Sequence, residues 1–193
     1  VHNGVSREMP AWDSTGKACV CRQERDDKMV INGKALDFLN NAIQPALQSI
    51  GLWNPAAGEL LLGTAIHESG GLKFRKQLGG GPALSYFQME PVTHNDIWDN
   101  YLKFRPELAA KVQALLSSPS ADKMQELENN DKYACAMARI KYLRMPGAMP
   151  AEGDLQAQAL YWKRWYNTPL GAGTPEQYMA DWNRMNGSTG DGH

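Results

Sequence analysis

The stretch of this chain with chemistry in it runs from Gly58 to Pro91, GELLLGTAIHESGGLKFRKQLGGGPALSYFQMEP. An apolar helical run delivers one carboxylate, Glu68, at its end. Leu61, Thr64, Ala65 and Glu68 recur at i, i+3, i+4 and i+7, so they share one face. Leu60, Leu62 and Ile66 make the same helix apolar nearly all round. Carboxylates are rarely buried without a reason. Desolvation disfavours their charged form, and the partial negative charge at a helix C-terminus acts in the same direction. A carboxyl that keeps its proton near neutral pH is what a general acid needs to protonate a glycosidic oxygen. The structural alternative is a surface Glu on the last turn, or a buried one pairing Arg139 or Lys73.

The residues after Glu68 suit the same chemistry. The glycines of Leu78-Gly79-Gly80-Gly81-Pro82 lack the Gly-Lys-Ser/Thr of a phosphate-binding loop and the strand-before, helix-after order of a dinucleotide site. Their better use is close approach of backbone to a bulky ligand, against the alternative of a surface loop. Ser85-Tyr86-Phe87-Gln88-Met89 sets aromatic rings, which stack on pyranose faces, beside an amide, which bonds hydroxyls; the same run is equally good core. Trp162, Trp165 and Tyr166 share one helical face whose default is core. Tyr166-Asn167 ends that helix and could reach a cleft. Nucleophile signals are thin: Ser69 has no G-x-S-x-G elbow, and Cys135 sits in an apolar pattern unsuited to a thiolate. His67 neighbours Glu68 in sequence and so points to another side of the helix, and no His pair has metal-ligand spacing. No metal and no cofactor is expected.

These residues need a helical scaffold. Leu36, Leu39, Ile43, Leu47 and Ile50 keep helical spacing, with Pro45 bending the segment and Gly51 stopping it. Asn54 and Pro55 start the Glu68 helix as cap and first residue, and Gly70-Gly71 end it. Pro91, Pro106 and Pro119 read as first-turn prolines, and Ser120 as the cap of a short polar helix ending near Asn129–Asn130. Further helices follow over Asp131–Met145 and Leu155–Tyr166, and from Thr174-Pro175 onward. No sustained period-2 pattern appears. The fold class is therefore mainly α, with at most a small hairpin around Gly79–Met89. Residues 1–33 read as an irregular N-terminal arm, 34–186 as one catalytic domain and 187–193 as a frayed tail. His2, Cys19 and Cys21 in the arm fit no usual zinc spacing.

Composition narrows the partners. The chain has 193 residues, 42% hydrophobic and 21% charged, which is ordinary for a globular domain. A net charge of −1 without a basic cluster argues against nucleic acid. No run approaches the ~18 apolar residues of a membrane span. Three cysteines do not make a disulfide framework and fit a reducing compartment of synthesis. Val1–Pro10 has no apolar signal-peptide core, though a cleaved N-terminus would look the same.

Four blocks in order carry a family resemblance: Glu68-Ser69-Gly70; Ser85-Tyr86-Phe87-Gln88-Met89; Ala136–Leu143; and Ala159–Tyr178, with Tyr166-Asn167, Gly171, Gly173 and Tyr178. Together they resemble soluble lytic transglycosylases and goose-type lysozymes over about Pro55–Tyr178. The resemblance implies a lysozyme-like, mostly α domain that cleaves the β-1,4 bond between N-acetylmuramic acid and N-acetylglucosamine in peptidoglycan glycan strands. It implies Glu68 as the acid/base, with Gln88 and Tyr166 near the carboxylate and sugar and Asn167 in support; Ser69 and Tyr86 are further candidates for binding substrate. Ser85 stands where the family has Gly, and Tyr86-Phe87 where it has Leu-Met. The run from Gly79 to Tyr101 resembles a tailed-phage subgroup. That implies synthesis in a host cytoplasm, action at the bacterial wall, and virion proteins as partners of the N-terminal arm. Inverting hydrolysis needs a second carboxylate ~6.5–9.5 Å from the acid. Glu90, Asp96 and Asp99 are the candidates, and without one Glu68 closes a 1,6-anhydro ring as acid and then base. Rival expectations are a non-catalytic phage module on the same fold, and a chitin- or chitosan-cleaving relative.

Overall fold

The computed structural model describes residues 31, 33–167 and 171–187. The expected arm, with His2, Cys19 and Cys21, and the tail beyond Gly187 lie outside them. The described residues are mainly helical, in the order α1 (Gly33–Phe38), α2 (Gln44–Ser49), α3 (Pro55–Glu68), α4 (Pro91–Asn100), α5 (Pro106–Gln113), α6 (Lys123–Asn129), α7 (Asp131–Leu143), α8 (Leu155–Trp162) and α9 (Pro175–Asn186). The expected hairpin is no more than two isolated bridges, Lys76 to Leu84 and Leu84 to Met89.

A π turn, Leu39–Ile43, joins α1 to α2 immediately before Pro45. Proline lacks an N–H and its ring crowds the carbonyl four residues back, so a widened turn relieves both faults. The wider turn also rephases the helix. Ala35, Phe38, Ala42 and Ala46 face the core, and Leu36, expected in the apolar stripe, is exposed. Gly51 ends α2 at φ +74°, with the Leu52 amide donating to the Leu47 carbonyl.

α3 is the central element. Asn54 caps it, its side-chain oxygen accepting from the Ala57 amide at 2.8 Å, and Pro55 follows. Every residue from Ala57 to Ile66 is buried. The helix packs against α9, α8 and α7. Gly63 makes the α9 contact possible, because a Cβ there would stand 2.0 Å from the Tyr178 hydroxyl oxygen. Thr64 Oγ1 donates to the Leu60 carbonyl and meets the Tyr142 hydroxyl at 2.7 Å, which ties α3 to α7. Glu59, also on α3, accepts from the Gly153 amide and the Gln158 side chain and anchors the approach to α8.

Two expected helix starts are corrected. Pro119 lies in a turn and opens no helix, and α6 is capped by Asp122 rather than Ser120. Asp122 Oδ1 accepts from the Met124 amide at 2.8 Å. A carboxylate there also meets the positive end of the helix dipole, which a serine hydroxyl does less well. Among the described residues no helix is long and apolar enough to cross a membrane.

Candidate active site

Glu68 is the last residue of α3, and the turn beyond it is built rigidly. Ser69 caps the helix end, its hydroxyl donating to the Ala65 carbonyl at 2.6 Å and accepting from the Leu72 amide at 2.8 Å. Gly70 and Gly71 take φ +64° and +87°, and the Gly71 amide returns to the Ile66 carbonyl. The half-buried Glu68 carboxyl therefore emerges at a defined point. Its Oε1 accepts one hydrogen bond, from Trp162 Nε1 at 2.9 Å. Neither Arg139 nor Lys73 is its partner.

Burial raises the Glu68 pKa above the ordinary carboxylate value. The Trp162 bond, and more weakly His67 and Lys141, pull the other way. The indole donor is neutral, so it orients the carboxyl without bringing a full charge beside it. Trp162 itself is wedged by His67, whose ring meets it edge-on at 4.4 Å between centroids. His67 is fixed by Asp181, Nδ1 to Oδ2 at 2.6 Å. His67 thus does lie off the carboxylate's face, as expected, and it buttresses the indole that holds Glu68.

Glu68 opens onto a groove of about 680 Å³. Gln88, Tyr166 and Asn167 line it with Glu68, as do Glu90, Lys141 and the exposed Phe74 and Leu78. Gln88 sits at φ +44°, and its amide nitrogen donates to the carbonyls of Phe74 and Ser85. Ser85 is also left-handed, at φ +66°, a conformation that glycine adopts more readily than a residue with a Cβ. Tyr166 is buried, and its hydroxyl donates to the Phe87 carbonyl at 2.9 Å. It thereby ties the π turn after α8, Lys163–Asn167, to the Gln88 turn. Asn167 Oδ1 accepts from Lys163 Nζ, which also reaches the Gly171 carbonyl.

Four sequence candidates stand elsewhere. Ser69 is buried and both capacities of its hydroxyl are used by backbone, so it offers the groove nothing. Tyr86 faces a separate hollow of about 760 Å³, packed edge-on against Phe38 and covered by the Arg75 guanidinium at 4.1 Å. Tyr86 and Phe87 stand in a turn between two left-handed residues, Ser85 and Gln88, and Phe87 takes the core while Tyr86 faces that hollow. Asp96 pairs with Arg144 at 2.5 Å and accepts from Asn100 at 2.7 Å, outside the groove. Those two bonds hold its carboxyl below the usual range. Asp99 lines a third hollow with Trp98, Lys103 and Lys123. Glu90 alone of the three candidate second carboxylates lines the Glu68 groove.

The chain matches no protein-family model, no characterised protein and no solved structure.

Sequence reasoning missed Trp162 and Lys141 as groups around the acid. One signal was present for Trp162: a buried indole N–H needs an acceptor, and Glu68 was the polar group without one. Nothing in the spacing of Lys141 distinguished it from a surface lysine at a helix end. Among the described residues no group of three or more His, Cys, Asp or Glu side chains could hold a metal.

Proposed function

We propose that the protein is a glycosidase of the muramidase type, with Glu68 as general acid for the β-1,4 bond of peptidoglycan. The observation that carries the reading is the environment of Glu68: one neutral N–H partner, burial that favours the protonated form, and an open polar groove before it. In the proposed reaction the glycosidic oxygen takes the Glu68 proton as the bond to the anomeric carbon breaks, and Trp162 Nε1 steadies the carboxylate that remains. Gln88, its amide nitrogen bonded to Phe74 and Ser85, supplies its amide oxygen to a sugar hydroxyl or to the N–H of an N-acetyl group, and Phe74 and Leu78 supply apolar surface for a pyranose face. The second step uses either water activated by Glu90, leaving reducing ends, or the muramyl 6-hydroxyl deprotonated by Glu68, leaving 1,6-anhydro ends. The setting at a bacterial wall reached from a phage particle is part of the proposal and rests on the resemblance of Gly79–Tyr101.

The test is Glu68→Gln on purified cell walls, with muropeptides read by mass spectrometry. The variant is expected to lose about 10²–10⁴-fold in cleavage while keeping the wild-type circular dichroism spectrum. Undiminished clearing by the variant would refute the assignment. In the wild type, anhydro ends would assign the second step to Glu68 and reducing ends would assign it to water.

A further inference from the structure

Lys141 is the one charged group of the groove whose position neither the fold nor the proposed acid chemistry explains. It leaves α7 near its C-terminal end and is half-buried. Its Nζ donates to the Tyr166 carbonyl at 3.0 Å and stands 3.5 Å from the centre of the Tyr166 ring. An ammonium has three donors, and these contacts leave it with bonding capacity toward the groove it lines with Glu68 and Glu90. Among the described residues no carboxylate forms an ion pair with it. Burial pushes its pKa down to about 8 even though Glu68 and Glu90 attract the charge. The Tyr166 carbonyl takes one of its donors, and the others remain open to a ligand in the groove.

Neutralising Glu68 is a poor account of this placement. A lysine in direct contact would pull the proton off the acid, and the contact that Glu68 makes is with an uncharged indole. Tyr166 instead holds the cation back from both carboxylates while keeping it in the same groove. Resting on the glycosidase reading, we infer that Lys141 Nζ receives a carboxylate carried by the substrate beside the cleaved bond, which selects a carboxylated amino-sugar polymer over a neutral one. Such a carboxylate has two sources in peptidoglycan. One is the lactyl ether of muramic acid where no peptide is attached, and the other is an acidic residue of the stem peptide.

The experiment measures kcat/KM of wild type, Lys141→Met and Lys141→Arg on three substrates. These are peptide-free glycan strands with free lactyl carboxylates, the same strands methyl-esterified, and intact peptidoglycan. Lys141→Met is expected to lose about 10- to 100-fold, mainly through KM, on whichever carboxylated substrate uses this contact, and Lys141→Arg to recover most of it. Loss on the peptide-free acid, with the wild type equally slow on the ester, identifies the lactyl group. Loss confined to intact peptidoglycan identifies the stem peptide. Lys141→Met within twofold of wild type on both carboxylated substrates, or losing equally on the ester, overturns the inference while leaving the glycosidase reading intact. Wild-type failure on all three overturns that reading and the inference with it. Lys141→Arg also controls for folding, since it keeps the charge and most of the packing.

Discussion

Glu68 is held by burial and by one hydrogen bond, and the two act on its proton in opposite directions. Burial is the larger effect, so the folded state binds the proton more tightly than the unfolded chain does. The sign of the linkage follows. Below the ordinary carboxyl value of 4.5 both states are protonated and the site costs nothing. As pH rises from there through the higher folded value, the unfolded chain releases its proton first, and stability falls. Glu68→Gln removes that penalty and can still accept from Trp162 Nε1. The variant is therefore expected to melt above wild type at pH 7 and level with it at pH 4, by roughly 2–4 °C for each kcal/mol released. Calorimetry across pH checks this, and a variant less stable than wild type at pH 7 contradicts it. Under the proposed function, activity and stability are opposed at this residue.

At the scale of elements, the site is the meeting of a helix end and two turns. α3 reaches the groove only because α9 packs against it at Gly63, where the Tyr178 hydroxyl occupies the space of a side chain. Gly63→Ala would force the two helices apart or tilt the tyrosine. Its expected cost is about 1–3 kcal/mol, read as a lower denaturation midpoint at unchanged m-value. Alanine is the better helix former, so a stabilised variant would show that the close approach is not there. The Gln88 turn is held differently. Ser85 and Gln88 both take left-handed backbone, and Tyr166 clamps the carbonyl between them. That conformation is costly for residues with a Cβ, and tertiary bonds maintain it.

At the scale of the whole molecule, the described residues form one continuous core around α3, and α7 is its second axis. Cys135, on α7, lies fully buried in it, and burial holds its thiol well above the ordinary value. Its helix packs against α2, α3, α4, α5 and α6, so exposing Cys135 is expected to require α7 to leave its neighbours. Cys135 is therefore expected to stay unlabelled by a maleimide in the native protein and to react in step with global unfolding, followed by peptide mapping against urea. Labelling of Cys135 well before the circular dichroism transition would show that α7 separates as a unit of its own.

The sequence by itself determined the helical class, most helix starts and the place of Glu68 at the end of an apolar helix. Those features are written locally: Asn54-Pro55 and Thr174-Pro175 set helix starts with the chain's own adjacent atoms, and an acid at the end of an all-apolar helix is visible in the order of residues. Where local signals competed, the sequence misled. Asp122 and Ser120 are both good caps, and Pro119 can open a helix or sit in a turn. The surroundings of Glu68 were decided only by the tertiary structure. Trp162, Lys141 and Asp181 come from three different helices, and nothing in their separations along the chain records that they converge on one helix end. Ser69, adjacent to Glu68, and Tyr86, two residues before Gln88, are turned away from the groove for a related reason. A side chain's direction depends on what its element packs against, and that is settled by the whole core at once.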